Sequence, residues 1–278
     1  MEREFLVASR RLFCAALLAL TLLAASPAAG DTSAAAAPPQ RILSLSCAAT
    51  HILLSLGRAP AAIDEYGRIA TGGQLLPVVG RGSMLSQERL VELQIDCVLL
   101  WSYQTDVGEW CRQHGLRAEV IPPLRLQQVP ALIARLGALT DAVEAATALA
   151  AEFTAALAAL DKTPHRRAAP PVAVYLELYA PGKAAGDETY VGDLIRAAGG
   201  RSVVRRSGLV SLEAVLENAP EVIFYLAGHG DAAAIQAQPG LRNTPAVRHG
   251  RVYPVERRLI VEGLAPLEAI AFFQQHLK

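Results

Sequence analysis

The chain has 278 residues, 52% of them hydrophobic and 19% charged, and its 26 basic and 26 acidic side chains give a formal net charge of zero. So large an apolar fraction supports sizeable buried cores, and without a basic surplus nothing argues for nucleic acid or an anionic membrane surface as partner. The basic residues are nearly all arginine. That bias suits planar anion recognition, and base composition alone can also produce it.

Arg10 and Arg11 precede an apolar run from Leu12 to Ala25, followed by Ser-Pro-Ala-Ala-Gly. This is the layout of an export signal over residues 1–30, with cleavage after Ala28 or Gly30, and the run is short for a permanent anchor. Ser9-Arg10-Arg11-Leu12-Phe13 also resembles the twin-arginine pattern, although an ordinary secretory signal is the preferred reading. Residues 31–39 read as a flexible leader. Cys47, Cys97 and Cys111 remain after export, an odd number that permits at most one internal disulfide.

Arg41–Leu45 is expected as a strand, Ser46–Thr50 as its turn, and His51–Leu56 as a helix closed by Gly57. A strand at Ala61–Asp64 exits through Glu65–Arg68, and a glycine-rich connection follows over 78–83. Val98–Trp101 is a strand ending at Ser102-Tyr103-Gln104; Val107–His114 is helical and Ala118–Ile121 a further strand. Alternating strands and helices at this spacing imply right-handed crossovers and a parallel sheet.

The stretch from Thr140 to Leu160 predicts one long helix, capped by Thr140 or Asp141, with Glu144 in its first turn. Val143, Ala146, Ala150, Phe153, Leu157 and Leu160 recur at spacings of three and four, and prolines 164, 170 and 171 end the element. Beyond it, Val172–Leu176, Val222–Leu226 and Arg251–Pro254 are expected as strands, with Val191–Ala198 and Pro266–Leu277 as helices. One signature flanks the long helix on both sides. Ser86 to Leu99 and Ser211 to Phe224 both read S-x-E-x-[LV]-[VL]-E-x-x-x-[DE]-x-[VI]-[LF], a Ser-capped helix leading into a buried strand. Glu88 and Glu213 occupy equivalent first-turn positions. The chain thus reads as α/β: two small parallel-sheet lobes, 40–125 and 170–278, bridged by a single long rigid helix within a linking helical segment, 126–162.

The ordered motifs R-I-L-S-L-S-C-A-A-T-H-I-L-L-S-L-G at 41–57, S-Q-E-R-L-V-E-L-Q-I-D-C-V-L-L at 86–100 and Y-V-G-D-L-I-R-A-A-G-G at 190–200 carry a resemblance. With S-L-E-A-V-L-E-N-A-P-E-V-I-F at 211–224 and H-G-R-V-Y-P-V at 249–255, the mature chain resembles periplasmic substrate-binding proteins of ABC importers for corrinoids, haem and ferric siderophores. The resemblance implies a ligand held between two lobes, with Glu88 and Glu213 docking on arginines of an inner-membrane permease dimer. It implies a periplasmic monomer with no cofactor of its own, its ligand an iron or cobalt chelate. Cys47 and His51 stand where the family usually has Pro and Glu.

Ligands of open α/β sheets sit beyond the carboxyl ends of the strands. That rule collects Ser46, Cys47, Thr50, Tyr66, Arg68, Trp101, Tyr103, Tyr179, His229 and Arg257. Aromatic faces suit a macrocycle, and a Tyr oxygen or His nitrogen can ligate iron or cobalt. Cys47 and His51, four residues apart, share a helix face as a weak soft-metal pair. No G-x-S-x-G, G-x-x-x-x-G-K-[ST] or G-x-G-x-x-G is present, so neither a serine hydrolase nor a nucleotide-binding enzyme is indicated. The alternatives are a binding protein for a bare transition-metal ion, for which the six His are scattered, and a non-transport sensor or scaffold on the same fold.

Overall fold

The computed structural model describes residues 38–161, 170–263 and 265–278. The expected export signal, leader residues 31–37 and residues 162–169 of the proline-rich break lie outside the described residues. From Pro38 onward the chain is one compact unit.

Its first sheet grows from β1 (Ile42–Ser44), α1 (Cys47–Ser55) and β2 (Ala62–Ile63), then a 3-10 helix (Glu65–Ala70) and a small hairpin, β3 (Gly80–Arg81) with β4 (Met84–Leu85). Then come α2 (Gln87–Glu92), β5 (Cys97–Trp101), α3 (Thr105–Gln113) and β6 (Arg117–Ile121). Helix α1 begins earlier than the sequence suggests. Ser46 caps it by accepting from Ala49 N, so Cys47 and Thr50 are helical and not in a turn, while Gly57 follows the helix at φ +68° as expected. Strands β1, β2, β5 and β6 form a parallel sheet in the order β2-β1-β5-β6.

Helices α4 (Val129–Leu139) and α5 (Val143–Asp161) follow. The expected caps of the long helix prove to belong to its predecessor. Thr140 is the C-terminal cap of α4, its Oγ1 donating to Leu136 O, and Asp141 turns the chain at φ +52°. A Cβ at Gly137 would lie 2.2 Å from that of Ala146, so the glycine is what lets α4 and α5 approach. Along α5, Ala146 is buried and Ala150, Phe153, Leu157 and Leu160 pack half-buried on the core, as the stripe predicted; Val143 is exposed.

The second sheet is built from β7 (Val172–Glu177), β8 (Lys183–Ala184), α6 (Tyr190–Ala197), β9 (Gly200–Ser202), β10 (Gly208–Leu209), α7 (Leu212–Glu217) and β11 (Val222–Leu226). It is completed by α8 (Ala232–Ala237), α9 (Pro245–Arg248), β12 (Val252–Val255), α10 (Arg257–Ile260) and α11 (Pro266–His276). Its parallel strands run β9-β7-β11-β12, the order of the first sheet over again. Short β8 and β10 add an antiparallel edge where β7 ends.

The repeated signature folds twice in the same way. Ser86 accepts from Arg89 N and Ser211 from Ala214 N, while Leu90 and Val215 are buried beneath their helices. Gln94 and Ala219 then reverse the chain at φ +50° and +41°. Asp96 accepts from Gln40 N and Arg41 N at 2.8 and 3.1 Å, and Glu221 from Ala173 N at 2.9 Å. Because Ile42 pairs with Cys97 and Val174 with Val222, Arg41 and Ala173 hold one register position. A carboxylate thus ties the start of the neighbouring strand in each half. One core cluster runs from Ile42, Leu99 and Ile121 through Leu132 and Leu136 of α4 to Val174, Phe224 and Phe273. Each such fully buried side chain contributes roughly 1.5–3 kcal/mol.

Candidate functional site

Strands β1, β2 and β5 deliver their carboxyl ends to one edge of the first sheet, and the predicted residues gather there unevenly. Ser46 and Thr50 are fully buried: Ser46 caps α1, and Thr50 Oγ1 donates to Ser44 Oγ at 2.9 Å. They shape the strand exit from inside and reach no open surface. Cys47 is buried beside them, its Sγ donating to Tyr66 O at 3.4 Å. Burial, with Asp64 nearby, pushes its thiol up to about 11, so the side chain is a neutral thiol at neutral pH. His51 is half-buried, and burial lowers its basicity. Among the described residues no three His, Cys, Asp or Glu side chains gather to hold a metal ion, so Cys47 and His51 acquire no third ligand. Cys47, Cys97 and Cys111 are all buried free thiols.

Tyr66 is the centre of the exposed part. The residue is 39% accessible, and two guanidiniums lie over its ring, with Arg81 Cζ 5.3 Å and Arg257 Cζ 5.6 Å from the centroid. Arg81 Nε donates to its hydroxyl at 3.0 Å. Arg257 Nε is buried with no hydrogen-bond partner among the described residues. Buried Asp64 underpins the group: Oδ1 accepts from Gly67 N at 2.9 Å and Oδ2 from Gly82 N at 3.1 Å. The carboxylate thereby holds the Tyr66 turn to the Arg81 hairpin. Burial raises its pKa against the pull of those hydrogen bonds. Arg68 sits one turn on and is exposed.

Trp101 and Tyr103, at the end of β5, stack with centroids 6.3 Å apart. Tyr103 is 73% accessible, and burial, with Asp64, Cys47, Glu262 and Tyr179 adding to it, raises its phenol pKa. On the β7 side Tyr179 meets His229 edge-on at 5.2 Å, and Lys183 Nζ stands 5.5 Å from the Tyr179 centroid. Arg81, Lys183, Asp64 and Glu262 escaped the sequence reading. Gly-Arg-Gly at 80–82 and Pro-Gly-Lys at 181–183, cations in glycine turns, were the available signal.

Two cavities lie elsewhere. One of about 200 Å³ is lined by Leu85, Leu90, Val107 and Trp110, and one of about 230 Å³ by Pro38, Arg58 and Thr140. Both are below the roughly 300–1,000 Å³ of small-molecule sites, and neither includes a predicted ligand residue.

This fold, with aromatic and cationic side chains at the strand exits, is that of a binding protein. The chain belongs to the periplasmic binding protein family, whose model matches residues 42–259. Its fold is similar to that of the periplasmic heme-binding protein RhuT from Roseiflexus sp. RS-1, at 23% identity and a TM-score of 0.74, covering 86% of this chain and 99% of that one. A periplasmic heme-binding protein from Pseudomonas aeruginosa gives 23%, 0.74, 86% and 92%. The vitamin B12 binding protein BtuF of Vibrio cholerae gives 21%, 0.71, 86% and 97%. No curated protein sequence matches the chain.

Proposed function

We propose that this protein is the periplasmic substrate-binding component of an ABC importer, capturing an iron or cobalt chelate (haem, a corrinoid or a ferric siderophore) and delivering it to a permease dimer. Residues 40–125 and 170–278 act as two lobes, 126–162 as the segment joining them, with α5 its rigid member. Two sheets of one strand order support that division.

The observation that carries the proposal is Tyr66 with Arg81 and Arg257 over its ring, together with the aromatic pairs Trp101–Tyr103 and Tyr179–His229 at other strand exits. A phenol oxygen is a hard ligand for ferric iron, guanidiniums pair with carboxylates, and aromatic faces cover a macrocycle. The structural neighbours whose names specify heme or vitamin B12 make such a cargo the natural choice. A bare metal ion is less well served, since no third protein ligand joins Cys47 and His51 among the described residues. Among the described residues of the site no nucleophile is paired with a base, and the structural neighbours named above are binding proteins, which supports binding without turnover. Glu88 and Glu213 complete it. Both are exposed in the first turn of their helices, neither has an ion-pair partner among the described residues, and each suits a permease arginine.

Titration of the mature protein with haem, cyanocobalamin and a ferric siderophore, followed by visible absorbance, tests the proposal. One chelate should give a saturable shift that Tyr66→Phe alters. Saturation by none of them, or catalytic conversion of a bound chelate, would refute it.

A further inference from the structure

The cavity of about 200 Å³ in the first half is enclosed by the β3–β4 hairpin, the start of α2 and helix α3. Leu85, Leu90 and Val107 give it apolar walls, and Gln87, Asp106 and Trp110 supply polar groups. Trp110 Nε1 is buried with no hydrogen-bond partner among the described residues, while the ring stacks on His114 with centroids 4.3 Å apart. An indole N–H kept from water and left without an acceptor destabilises the chain that holds it. Asp106 is exposed and has no ion-pair partner among the described residues, whereas Glu109 of the same helix is paired with Arg112.

The twin half is built otherwise at the matching position. Gln87 follows Ser86 as Leu212 follows Ser211 in the repeated signature. Leu212 packs half-buried on the second core, its Cβ 3.1 Å from where a Cβ at Gly240 would lie. An apolar side chain therefore suits this place in the repeated unit, and folding does not call for the glutamine. The cavity is also too small for a chelate, yet it has room for one long side chain. Lysine and arginine bury their stems on apolar walls while the charged head keeps a polar partner, and Asp106 is a carboxylate free to be that partner. Glu88, read above as meeting a permease arginine, is the next residue of α2 after Gln87.

Resting on the importer reading above, we propose that this cavity is a socket for one basic side chain of the permease. The stem runs along Leu85, Leu90 and Val107, Asp106 pairs with the charged head, and an oxygen of the same permease segment accepts from Trp110 Nε1. Gln87 keeps the mouth polar. Because Leu212 stands at the matching place, the second half meets its permease subunit without this contact, and two identical subunits are engaged unequally.

The test is docking of the mature protein, labelled with 5-fluorotryptophan, on the permease dimer in lipid nanodiscs. The chain has two tryptophans, so fluorine NMR gives two resonances, which Trp110→Phe assigns. The permease should shift the Trp110 resonance. Asp106→Asn should weaken docking by about tenfold, the loss of one charge-assisted contact, and Gln87→Leu, which copies the second half, should weaken it in the same direction. Glu109→Gln should dock like the parent, and chelate affinity should be unchanged in all three variants. If Asp106→Asn docks as tightly as the parent, the socket takes no basic side chain and the inference falls, with the importer reading intact. If Asp106→Asn weakens docking while the Trp110 resonance stays still, the acid acts from the surface and the socket is likewise refuted. Failure of the parent to dock at all would instead refute the importer reading, and this inference with it.

Discussion

Asp64 shows how much of this site depends on a residue that touches no ligand. Its two oxygens accept from Gly67 N and Gly82 N, and those glycines flank the turn of Tyr66 and the hairpin of Arg81. Gly82 itself adopts φ +60°, and a Cβ there would lie 3.6 Å from the Tyr66 ring, so the hairpin turns against the tyrosine. Asp64→Asn keeps one acceptor and leaves one buried N–H facing an amide, a loss of about 1–3 kcal/mol. Thermal denaturation should show that loss, and chelate affinity should fall with it as Arg81 loses its register with Tyr66. Asp96→Asn, at a strand start away from the site, should lower stability without moving affinity. Equal affinity in the Asp64 variant and its parent would mean that Tyr66 and Arg81 position themselves.

Among the elements, the twin helices α2 and α7 were legible in the sequence because their signals are local. A serine cap, an acid in the first turn and one buried apolar position are all written within a few residues. Strands β5, β7 and β11 were legible for the same reason, as apolar runs between turn residues. The two-residue strands β8 and β10 were not, because their pairing across distant segments defines them, and the β3–β4 hairpin was hidden in a glycine-rich stretch. The caps of α5 misled, since Thr140 has a capping hydroxyl and spends it on the carbonyl of the preceding helix. In the site, aromatics at strand exits could be read from position alone. Asp64, Arg81 and Lys183 could not, for their roles come from tertiary hydrogen bonds and stacking. The exposed acids give the element-scale prediction. A carboxylate at a helix start contributes only about 0.3–1 kcal/mol, so Glu88→Ala with Glu213→Ala should barely shift the melting temperature or chelate affinity. Permease binding and uptake should collapse, and high salt should weaken docking of the parent protein. Full uptake by the double variant would reduce both residues to helix-end charges.

At the scale of the whole molecule, one buried acid ties the segment before α4 to the second half. Asp193 receives Arg125 Nε at 2.7 Å, Leu126 N at 3.0 Å and Arg196 at 2.8 Å, and its side chain is 1% accessible. Burial alone would raise its pKa, but these hydrogen bonds outweigh it and hold the carboxyl below the ordinary range. A depressed acid stabilises the fold above its unfolded pKa of about 3.9, and the contribution fades as pH falls through the folded value. Asp193→Asn should therefore cost about 1.5–3 kcal/mol at neutral pH, discounted for the part-exposed arginines. The gap in melting temperature should close in acid, and a gap constant with pH would contradict the ion-pair account.

The central claim is that a chelate is held at the carboxyl ends of the strands, beside Trp101 at the end of β5, and the two tryptophans allow a direct test. Trp101 stacks on Tyr103 at that strand end, whereas Trp110 packs on His114 and lines a separate cavity. In a Trp110→Phe background, whose remaining described indole is Trp101, adding the chelate that saturates the absorbance should quench the emission with a break at one equivalent. In the converse Trp101→Phe protein the same addition should leave emission nearly unchanged. A full quench in Trp101→Phe, with none in Trp110→Phe, would contradict this placement of the ligand.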